Sequence, residues 1–315
     1  AYKFGKPSEK APVRLDGYFL SIRRPGEFPV NFWIGKIPTP VGKFSPRSYS
    51  HVNPLIGYPL AYQYKVPYNV FTLSSETSNL PLRDRNLGAG TSIYEACWIT
   101  GLSAFGNLDG TEYMVAIGRG TLTNPEAREN KGFQIAGRVG RSFNNWLTAG
   151  VSGGIAPYLQ HSTGLPSGTS IRDPKHLILG ADAGAKFNNL NLVFEAFYNS
   201  WDTPQYQSEK NIHAFAWYLE GRYFILSNLY AAARLDQVRY NNITNPATQQ
   251  ETPWGYDITR IEAALGFSPI REVLIKAVIQ RNSYDHPAIQ NITIYALQAA
   301  LRFEHLQKFL GMDDE

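Results

Sequence analysis

The sequence predicts an all-β fold, a transmembrane antiparallel up-and-down β-barrel of about 14 strands. Three observations predict it. Apolar and polar residues alternate with period two, the alternating segments are long, and short and long connections take turns along the chain. No stretch of the 315 residues approaches the roughly 18 consecutive apolar residues of a transmembrane helix. If the chain crosses a membrane, we expect strands to do so.

The composition agrees with this fold class. Hydrophobic residues make up 43% of the chain, aromatic residues 13% and charged residues only 18%. Lysine and arginine total 30 against 26 aspartate and glutamate, and they form no basic stripe, which excludes nucleic acid as a partner. Cys97 is the single cysteine, so an internal disulfide and a cysteine-based zinc site are excluded.

Thirteen strands are predicted directly from the alternation. They span residues 12–22, 29–37, 92–105, 111–122, 131–141, 146–158, 175–187, 190–201, 211–225, 229–240, 255–267, 271–283 and 291–303. In strand 190–201, Leu190, Leu192 and Phe194 lie on one face, and Asn191 and Glu195 lie on the other. Strands of soluble proteins usually have about 5–6 residues, whereas a tilted strand that spans a bilayer needs about 9–11. The segment lengths therefore favour spanning strands.

The connections alternate in length. Short links are predicted at 106–110, 142–145, 188–189, 226–228 and 268–270, and longer ones at 123–131, 160–175, 202–211, 241–254 and 284–290. Short turns on one rim and long loops on the other are typical of outer-membrane barrels.

Strand parity predicts one strand more. Bacterial single-chain barrels have an even number of strands, so we expect another strand before residue 12, with Tyr2 to Gly5 as its remnant. The total is then about 14. A hairpin hidden within residues 38–91, for instance around Tyr58 to Leu73, would raise it to 16.

We expect one barrel domain over residues 1–303 and a C-terminal tail over residues 304–315. Residues 38–91 form a long connection rich in proline and tyrosine, and loops of this length are usually functional. We expect this connection to fold into the lumen as a constriction. Strand 146–158 offers space for it, because its inward positions are all small: Thr148, Gly150, Ser152, Gly154 and Ala156. The alternative is that these glycines relieve barrel curvature.

The predicted lumen face carries nearly balanced charge. The inward-facing residues, and hence the candidate pore-lining residues, are Arg138, Asp182, Lys186, Glu195, Glu220, Arg222, Arg234, Asp236, Arg260, Glu262, Glu272, Lys276 and Arg302. The turn lengths place Glu220 opposite Arg234 and Glu262 opposite Lys276. Opposite charges across strands stabilise a sheet by about 0.2–1 kcal/mol. A wall of solvated ion pairs is therefore the alternative to a functional surface.

One cross-strand pair breaks this pattern. A two-residue turn at Asn188–Asn189 places Asp182 opposite Glu195, two carboxylates side by side. Such a pair raises one pKa or recruits a cation, so a calcium or proton site is one interpretation. The other is that Lys186, on the same face, neutralises the pair.

The six tryptophans suggest aromatic girdles. All of them fall within predicted strands or near strand ends, where an indole can lie at the headgroup level. They are Trp33, Trp98, Trp146, Trp201, Trp217 and Trp254. Trp98 and Trp217 lie closer to mid-strand and can also face lipid.

In this pattern the chain resembles the Gram-negative outer-membrane porins over nearly its whole length. The stretch from Ile34 to Gly42, Ile-Gly-Lys-Ile-Pro-Thr-Pro-Val-Gly, is similar to the Gly-[Lys/Gln]-Phe-x-x-Pro-Phe-Gly segment of phosphate-selective porin O/P-type proteins. Val41 stands where that pattern has phenylalanine, and phosphate selectivity is not carried over. The resemblance implies a channel in the bacterial outer membrane.

Catalytic motifs are not found. The six histidines lack the spacing of a metal site, and the sequence has no G-x-S-x-G elbow and no phosphate-binding loop with its lysine. We therefore expect no enzyme activity, no metal and no cofactor.

The leading hypothesis is passive diffusion of small hydrophilic solutes or ions through an outer-membrane channel with a mild anion preference. One alternative is a barrel that acts as a scaffold or anchor for an outer-membrane partner protein. Another is a soluble all-β glycan-binding protein. The lipid bilayer and small solutes are the expected partners, and the sequence leaves a homo-oligomer open.

Overall fold

The computed structural model describes residues 17–23, 30–63, 98–123, 131–158, 167–202, 211–244, 249–285 and 289–302. These residues form fifteen strands and two short helices. The strands are β1 (Tyr18–Ile22), β2 (Asn31–Pro38), β3 (Trp98–Leu108), β4 (Thr111–Arg119), β5 (Phe133–Phe143), β6 (Leu147–Pro157), β7 (Lys175–Phe187), β8 (Leu190–Asp202), β9 (Asn211–Leu226), β10 (Leu229–Tyr240), β11 (Asn242–Thr244), β12 (Glu251–Pro253), β13 (Ile258–Phe267), β14 (Val273–Tyr284) and β15 (Ile292–Leu301). A 3₁₀ helix (Ser45–Arg47) and helix α1 (Leu60–Gln63) lie between β2 and β3.

Thirteen of the described strands form one sheet in which neighbours along the chain are neighbours in space. Its order is β1 to β10 followed by β13, β14 and β15, and all pairings are antiparallel. The two remaining strands, β11 and β12, form a small hairpin of their own within a long connection. The up-and-down antiparallel architecture expected from the sequence is confirmed.

The two faces of the sheet differ because side chains alternate along each strand. In β10, Ala232, Arg234, Asp236 and Val238 are buried, whereas Leu235 is exposed. We call the buried side the covered face and the other the exposed face. The exposed face carries large apolar side chains on almost every strand, among them Ile117, Ile135, Val151, Leu179, Phe215, Leu219, Ile261 and Leu265.

This exposed apolar surface extends over most of the sheet. Soluble monomers rarely leave contiguous apolar patches larger than a few hundred Å², and an apolar band is what a transmembrane barrel presents to lipid. The soluble glycan-binding alternative does not fit such a surface. Within the described ranges, no helix has the length and hydropathy needed to cross a membrane.

Strand positions follow the sequence prediction closely. The observed bounds of β7 and β10 coincide with the predicted residues 175–187 and 229–240. The link predicted at 106–110 is shorter than expected: β3 runs to Leu108, and Asp109 (φ 49°) and Gly110 (φ 77°) form a two-residue turn of the kind hairpins favour. The remnant strand at Tyr2 to Gly5 and the tail 304–315 lie outside the described residues. The alternative hairpin was expected near residues 58–73. Residues 60–63 are helical, and residues 64–73 lie outside the described residues.

Register agrees with two predicted cross-strand pairs and contradicts a third. Glu220 pairs with Arg234, and Asp182 pairs with Glu195, as predicted. The predicted pairing of Glu262 with Lys276 is wrong. Phe267 pairs with Ile275, so the turn between β13 and β14 is longer than three residues, and Glu262 lies opposite Gln280.

The girdle interpretation is wrong for two of the tryptophans. Trp201 and Trp254 are 2% and 4% exposed and pack against each other with ring centroids 5.4 Å apart. Trp146 is 43% exposed in the turn before β6, the kind of position a girdle residue occupies.

Candidate functional site

Residues 39–63, which we call the 39–63 segment, lie against the covered face of the sheet. The segment first contacts β6 and β8. Gly42 N donates a hydrogen bond to Ser152 Oγ (3.2 Å), and Lys43 N donates to Glu195 Oε1 (2.8 Å). The Tyr62 hydroxyl, near the end of the segment, donates to the same carboxylate. Glu195 therefore joins both ends of the segment to β8.

Gly42 allows this close approach. Its φ of 70° lies in the left-handed region, which glycine adopts without steric cost. A Cβ atom at this position would lie 2.0 Å from Tyr62 Oη and 2.9 Å from Glu195 Oε2. Any larger residue would therefore push the segment away from β8.

Arg47 connects the segment to β9. Its guanidinium forms an ion pair with Glu220, and Nη1 lies 3.5 Å from the Tyr218 hydroxyl oxygen. Burial lowers the pKa of Arg47, but attraction to Glu220 and other nearby groups raises it by more, so the pKa lies above its ordinary value. Arg47 therefore stays protonated in this ion pair.

Lys276 of β14 binds the turn of the segment, which comprises residues 50–55. Its Nζ donates to three backbone carbonyl oxygens, those of Ser50 (2.8 Å), Asn53 (3.0 Å) and Leu55 (2.8 Å). An ammonium group has three protons to donate, so this buried cation is fully satisfied by the segment. Arg302 extends the contact toward the end of the sheet by donating to His51 O (3.3 Å).

The returning part of the segment follows β13 and β10. Gly57 N donates to Glu262 Oε1 (3.0 Å), and Leu60 N donates to Asp236 Oδ2 (3.0 Å). In the opposite direction, Arg234 donates to Gly57 O (2.8 Å) and Arg260 donates to Tyr58 O (3.0 Å). Backbone groups of the segment are paired here with charged side chains of the sheet.

Arg234 is the centre of a buried ion network. It is 1% exposed and forms ion pairs with Glu220 (3.2 Å), Glu262 (2.7 Å) and Asp236 (3.4 Å). A buried charge of this kind needs partners to offset its desolvation. The solvated ion pairs expected from the sequence are therefore, at this place, buried beneath the segment.

The paired carboxylates Asp182 and Glu195 have different partners. Arg138 forms a bidentate ion pair with Asp182, in which Nε lies 2.8 Å from Oδ2 and Nη2 lies 2.7 Å from Oδ1. The neutralising cation is thus Arg138, whereas Lys186 forms no ion pair in the part of the chain described. In the same residues, no cluster of three His, Cys, Asp or Glu side chains could hold a metal ion.

A cavity of about 670 Å³ lies between the segment and the parts of β6 to β9 that are next to the short turns, beside the turn that joins β5 to β6. Four cations line it: Lys43, Arg47, Lys186 and Arg222. Glu220 is the one carboxylate among the described residues of its lining. The cavity is therefore electropositive.

Glu272 does not occupy the strand position predicted for it. It lies in the turn before β14, and its carbonyl oxygen accepts a hydrogen bond from Arg302 N (2.8 Å). The longer turn between β13 and β14 is the reason, because β14 begins only at Val273.

Sequence reasoning missed the residues of the segment that bind the sheet. Lys43, Arg47, Gly57 and Tyr62 belong to an irregular connection with no periodicity from which a face could be assigned. The small residues of strand 146–158 were the available signal, and the segment contacts two of them, Thr148 and Ser152.

Comparisons with known proteins bear on the fold. No protein-family model and no curated protein sequence matches the chain. Solved structures do match. OmpT, an outer membrane protein of Vibrio cholerae in its trimer form, aligns with a TM-score of 0.55 at 12% identity, over 92% of this chain and 79% of that chain. An anion-selective porin from Comamonas acidovorans aligns with a TM-score of 0.54 at 9% identity, over 86% of this chain and 70% of that chain.

The chain has the β-barrel fold of the outer-membrane porins. The same likeness extends to an OmpT variant that lacks loop L8, with a TM-score of 0.52 at 14% identity over 86% of this chain and 76% of that one. At these identities the comparisons establish the fold, and the resemblance to porins expected from the sequence is confirmed at that level.

Proposed function

We propose that this porin-fold chain is a channel of the bacterial outer membrane, through which small hydrophilic solutes or ions diffuse passively. The covered face lines the lumen, and the 39–63 segment forms the constriction. Solutes are selected by size at the segment and by weak electrostatic attraction beside it, at sites weak enough to release them.

One observation carries the proposal. The segment forms hydrogen bonds with side chains of β6, β8, β10, β13 and β14, which are spread over half of the sheet. Contacts with strands spread this widely are those expected of a segment that lies inside a sheet curved into a barrel. A narrowed interior passage with an apolar outer wall is the geometry of a diffusion channel.

The charge beside the segment supports a mild anion preference. Among the described residues of its lining, the cavity has four cations, Lys43, Arg47, Lys186 and Arg222, against one carboxylate, Glu220. A positive potential in a narrow, low-dielectric space raises the local concentration of anions. The structurally similar protein from Comamonas acidovorans is an anion-selective porin, which supports an anion preference here.

The assembly proposed is a homo-oligomer in the lipid bilayer. The Vibrio cholerae OmpT structure is described as a trimer form, and it matches 92% of this chain. Its likeness supports an oligomer here without fixing the number of copies.

A second candidate is a closed barrel that serves as a scaffold for a partner protein. The observation in its favour is the complete burial of Arg234, Asp236, Glu262 and Lys276, which the segment covers. A tightly filled interior conducts little.

Liposome swelling separates the two candidates. Purified protein is inserted into vesicles, and swelling is followed in isotonic solutions of a pentose, a hexose and a disaccharide. A channel predicts swelling rates that decrease with sugar size. Rates equal to those of protein-free vesicles, with insertion verified by heat-dependent gel mobility, would favour the scaffold.

A further inference from the structure

The electropositive cavity has the features of a binding site as well as those of a passage. At about 670 Å³ it falls within the range of roughly 300–1,000 Å³ that is typical of small-molecule sites. It is bounded on one side by the 39–63 segment and on the other by the walls of β6 to β9. A bound molecule would therefore be contacted from two sides.

On the sheet side, two cations flank a neutral amide. Asn191 of β8 pairs with Lys186 of β7 and with Arg222 of β9, so the three side chains form one row on the covered face. Cross-strand neighbours have Cβ atoms about 4.5–5.5 Å apart, which places the two cations roughly 10 Å apart at their bases. The sheet wall therefore presents two neighbouring positive charges to the cavity.

On the segment side, Lys43 and Arg47 face the same cavity. Lys43 Nζ lies 3.4 Å from Thr148 Oγ1, which positions the ammonium group at the β6 wall. Gly184 lies between Thr148 and Val193 in the next row of the sheet and has no side chain to fill the space.

Most of this positive charge is not neutralised. Among the residues that the structure describes, Lys43, Lys186 and Arg222 form no ion pair, whereas Arg47 is paired with Glu220. Arg222 instead lies over the ring of Phe224, with Cζ 4.7 Å from the ring centroid. Three cations are thus available to a ligand.

The rest of the lining is partly apolar. Pro46, Val52, Pro54 and Val193 contribute to it. Bare inorganic anions gain nothing from such a surface, whereas a carbon skeleton buries apolar area against it.

We propose that this cavity binds small organic anions with two or more negative charges, such as short dicarboxylates. The inference rests on the proposed channel function and names its substrate class. Lys186 and Arg222 hold one end of the ligand and Lys43 of the segment holds the other, while the apolar wall contacts the carbon chain. The site collects dianions at the rim with the short turns.

Calorimetric titration of the detergent-solubilised protein tests the proposal without requiring conductance. The probes are succinate, butyrate and inorganic phosphate. We expect saturable succinate binding, with butyrate weaker by roughly tenfold or more because it lacks the second charge. Phosphate is also expected to bind more weakly than succinate, because it has no carbon chain.

Variants identify the residues. Lys186→Gln and Arg222→Gln, singly and together, should weaken succinate binding, the double variant by roughly tenfold or more. Arg141→Gln is the matched control, because it removes the same charge from the exposed face of β5 near the same rim. It should leave the affinity unchanged.

Three outcomes would overturn the proposal: butyrate binding as tightly as succinate, phosphate binding at least as tightly as succinate, or a double variant that retains full affinity. Failure of the channel itself would appear separately, as vesicles that do not swell although the protein binds succinate.

Discussion

Lys276 Nζ lies 2.8 Å from the carbonyl oxygen of Leu55, which belongs to the 39–63 segment 221 residues earlier in the chain. The ammonium group is fully buried and also bonds two further carbonyls of the segment turn. This contact fixes the turn of the segment to a strand near the end of the sheet. The segment is therefore held as part of the fold.

Replacing Lys276 by Met should release the turn. The variant removes three hydrogen bonds from a charged donor and leaves buried carbonyls unpaired, a loss of about 2–4 kcal/mol in the free energy that holds the segment. We expect cleavage within residues 39–63 by an added protease and faster liposome swelling. Arg281→Met, on the exposed face of the same strand, is the control and should change neither. A Lys276→Met variant as resistant to protease as the parent would show that the turn is held elsewhere.

Gly42→Ala should displace the first part of the segment. The new Cβ would clash with Tyr62 Oη at 2.0 Å, in addition to the cost of about 1–2 kcal/mol for alanine in a left-handed conformation. Gly168→Ala isolates that conformational cost, because Gly168 has φ 85° and nothing within 4 Å of the added Cβ. Protease cleavage of the segment should increase in Gly42→Ala and stay at the parent level in Gly168→Ala. Cleavage of Gly42→Ala at the parent level would show that the new methyl group does not displace the segment.

Arg138→Gln should destabilise the barrel by leaving Asp182 without its cation. Breaking a buried ion pair costs about 3–5 kcal/mol, since one charge stays buried and unpaired. The midpoint of thermal unfolding in detergent should fall, and the double variant Arg138→Gln/Asp182→Asn should recover most of the loss. Arg141→Gln, three residues along β5 on the exposed face, should leave it unchanged. No recovery in the double variant would mean that Arg138 acts through other contacts.

The ion pair between Arg47 and Glu220 should show direct energetic coupling. A double-mutant cycle with Arg47→Gln and Glu220→Gln in chemical denaturation should give a coupling free energy of about 1–3 kcal/mol. The raised pKa of Arg47 means that its contribution is present at all pH values below the ordinary arginine pKa. The coupling should therefore be the same at about pH 7 and about pH 10. A value near zero would show that the two groups contribute independently.

The sequence predicted the sheet well because period-two alternation is a local property. Where turns are short, as at Asn188–Asn189, local turn length also predicted the register, and Asp182 was correctly placed opposite Glu195. Between β13 and β14 the turn is longer than its residues suggested, and the register moved Lys276 from Glu262 to Gly266. A face assignment survives an even shift, but a pairing does not.

The path of the 39–63 segment could not be predicted from the sequence in this way. Its contacts join residues far apart in the chain, such as Gly57 with Glu262 and Arg47 with Glu220. Backbone groups supply many of these contacts, and any residue carries those. Arg138 lies 44 residues before Asp182 in the chain and was therefore missed as its partner. Lys186, which is close to Asp182 in the sequence, was expected instead.

Reversal potential across a potassium chloride gradient in a planar bilayer tests the channel most directly. The proposed function predicts discrete, stable conductance steps and a reversal potential of the sign that indicates chloride passing somewhat more readily than potassium. The shift should become smaller in Lys186→Gln/Arg222→Gln, because half of the cavity cations are then removed. Inserted protein that gives no steps, or steps with cation selectivity, would contradict the proposed anion-preferring channel.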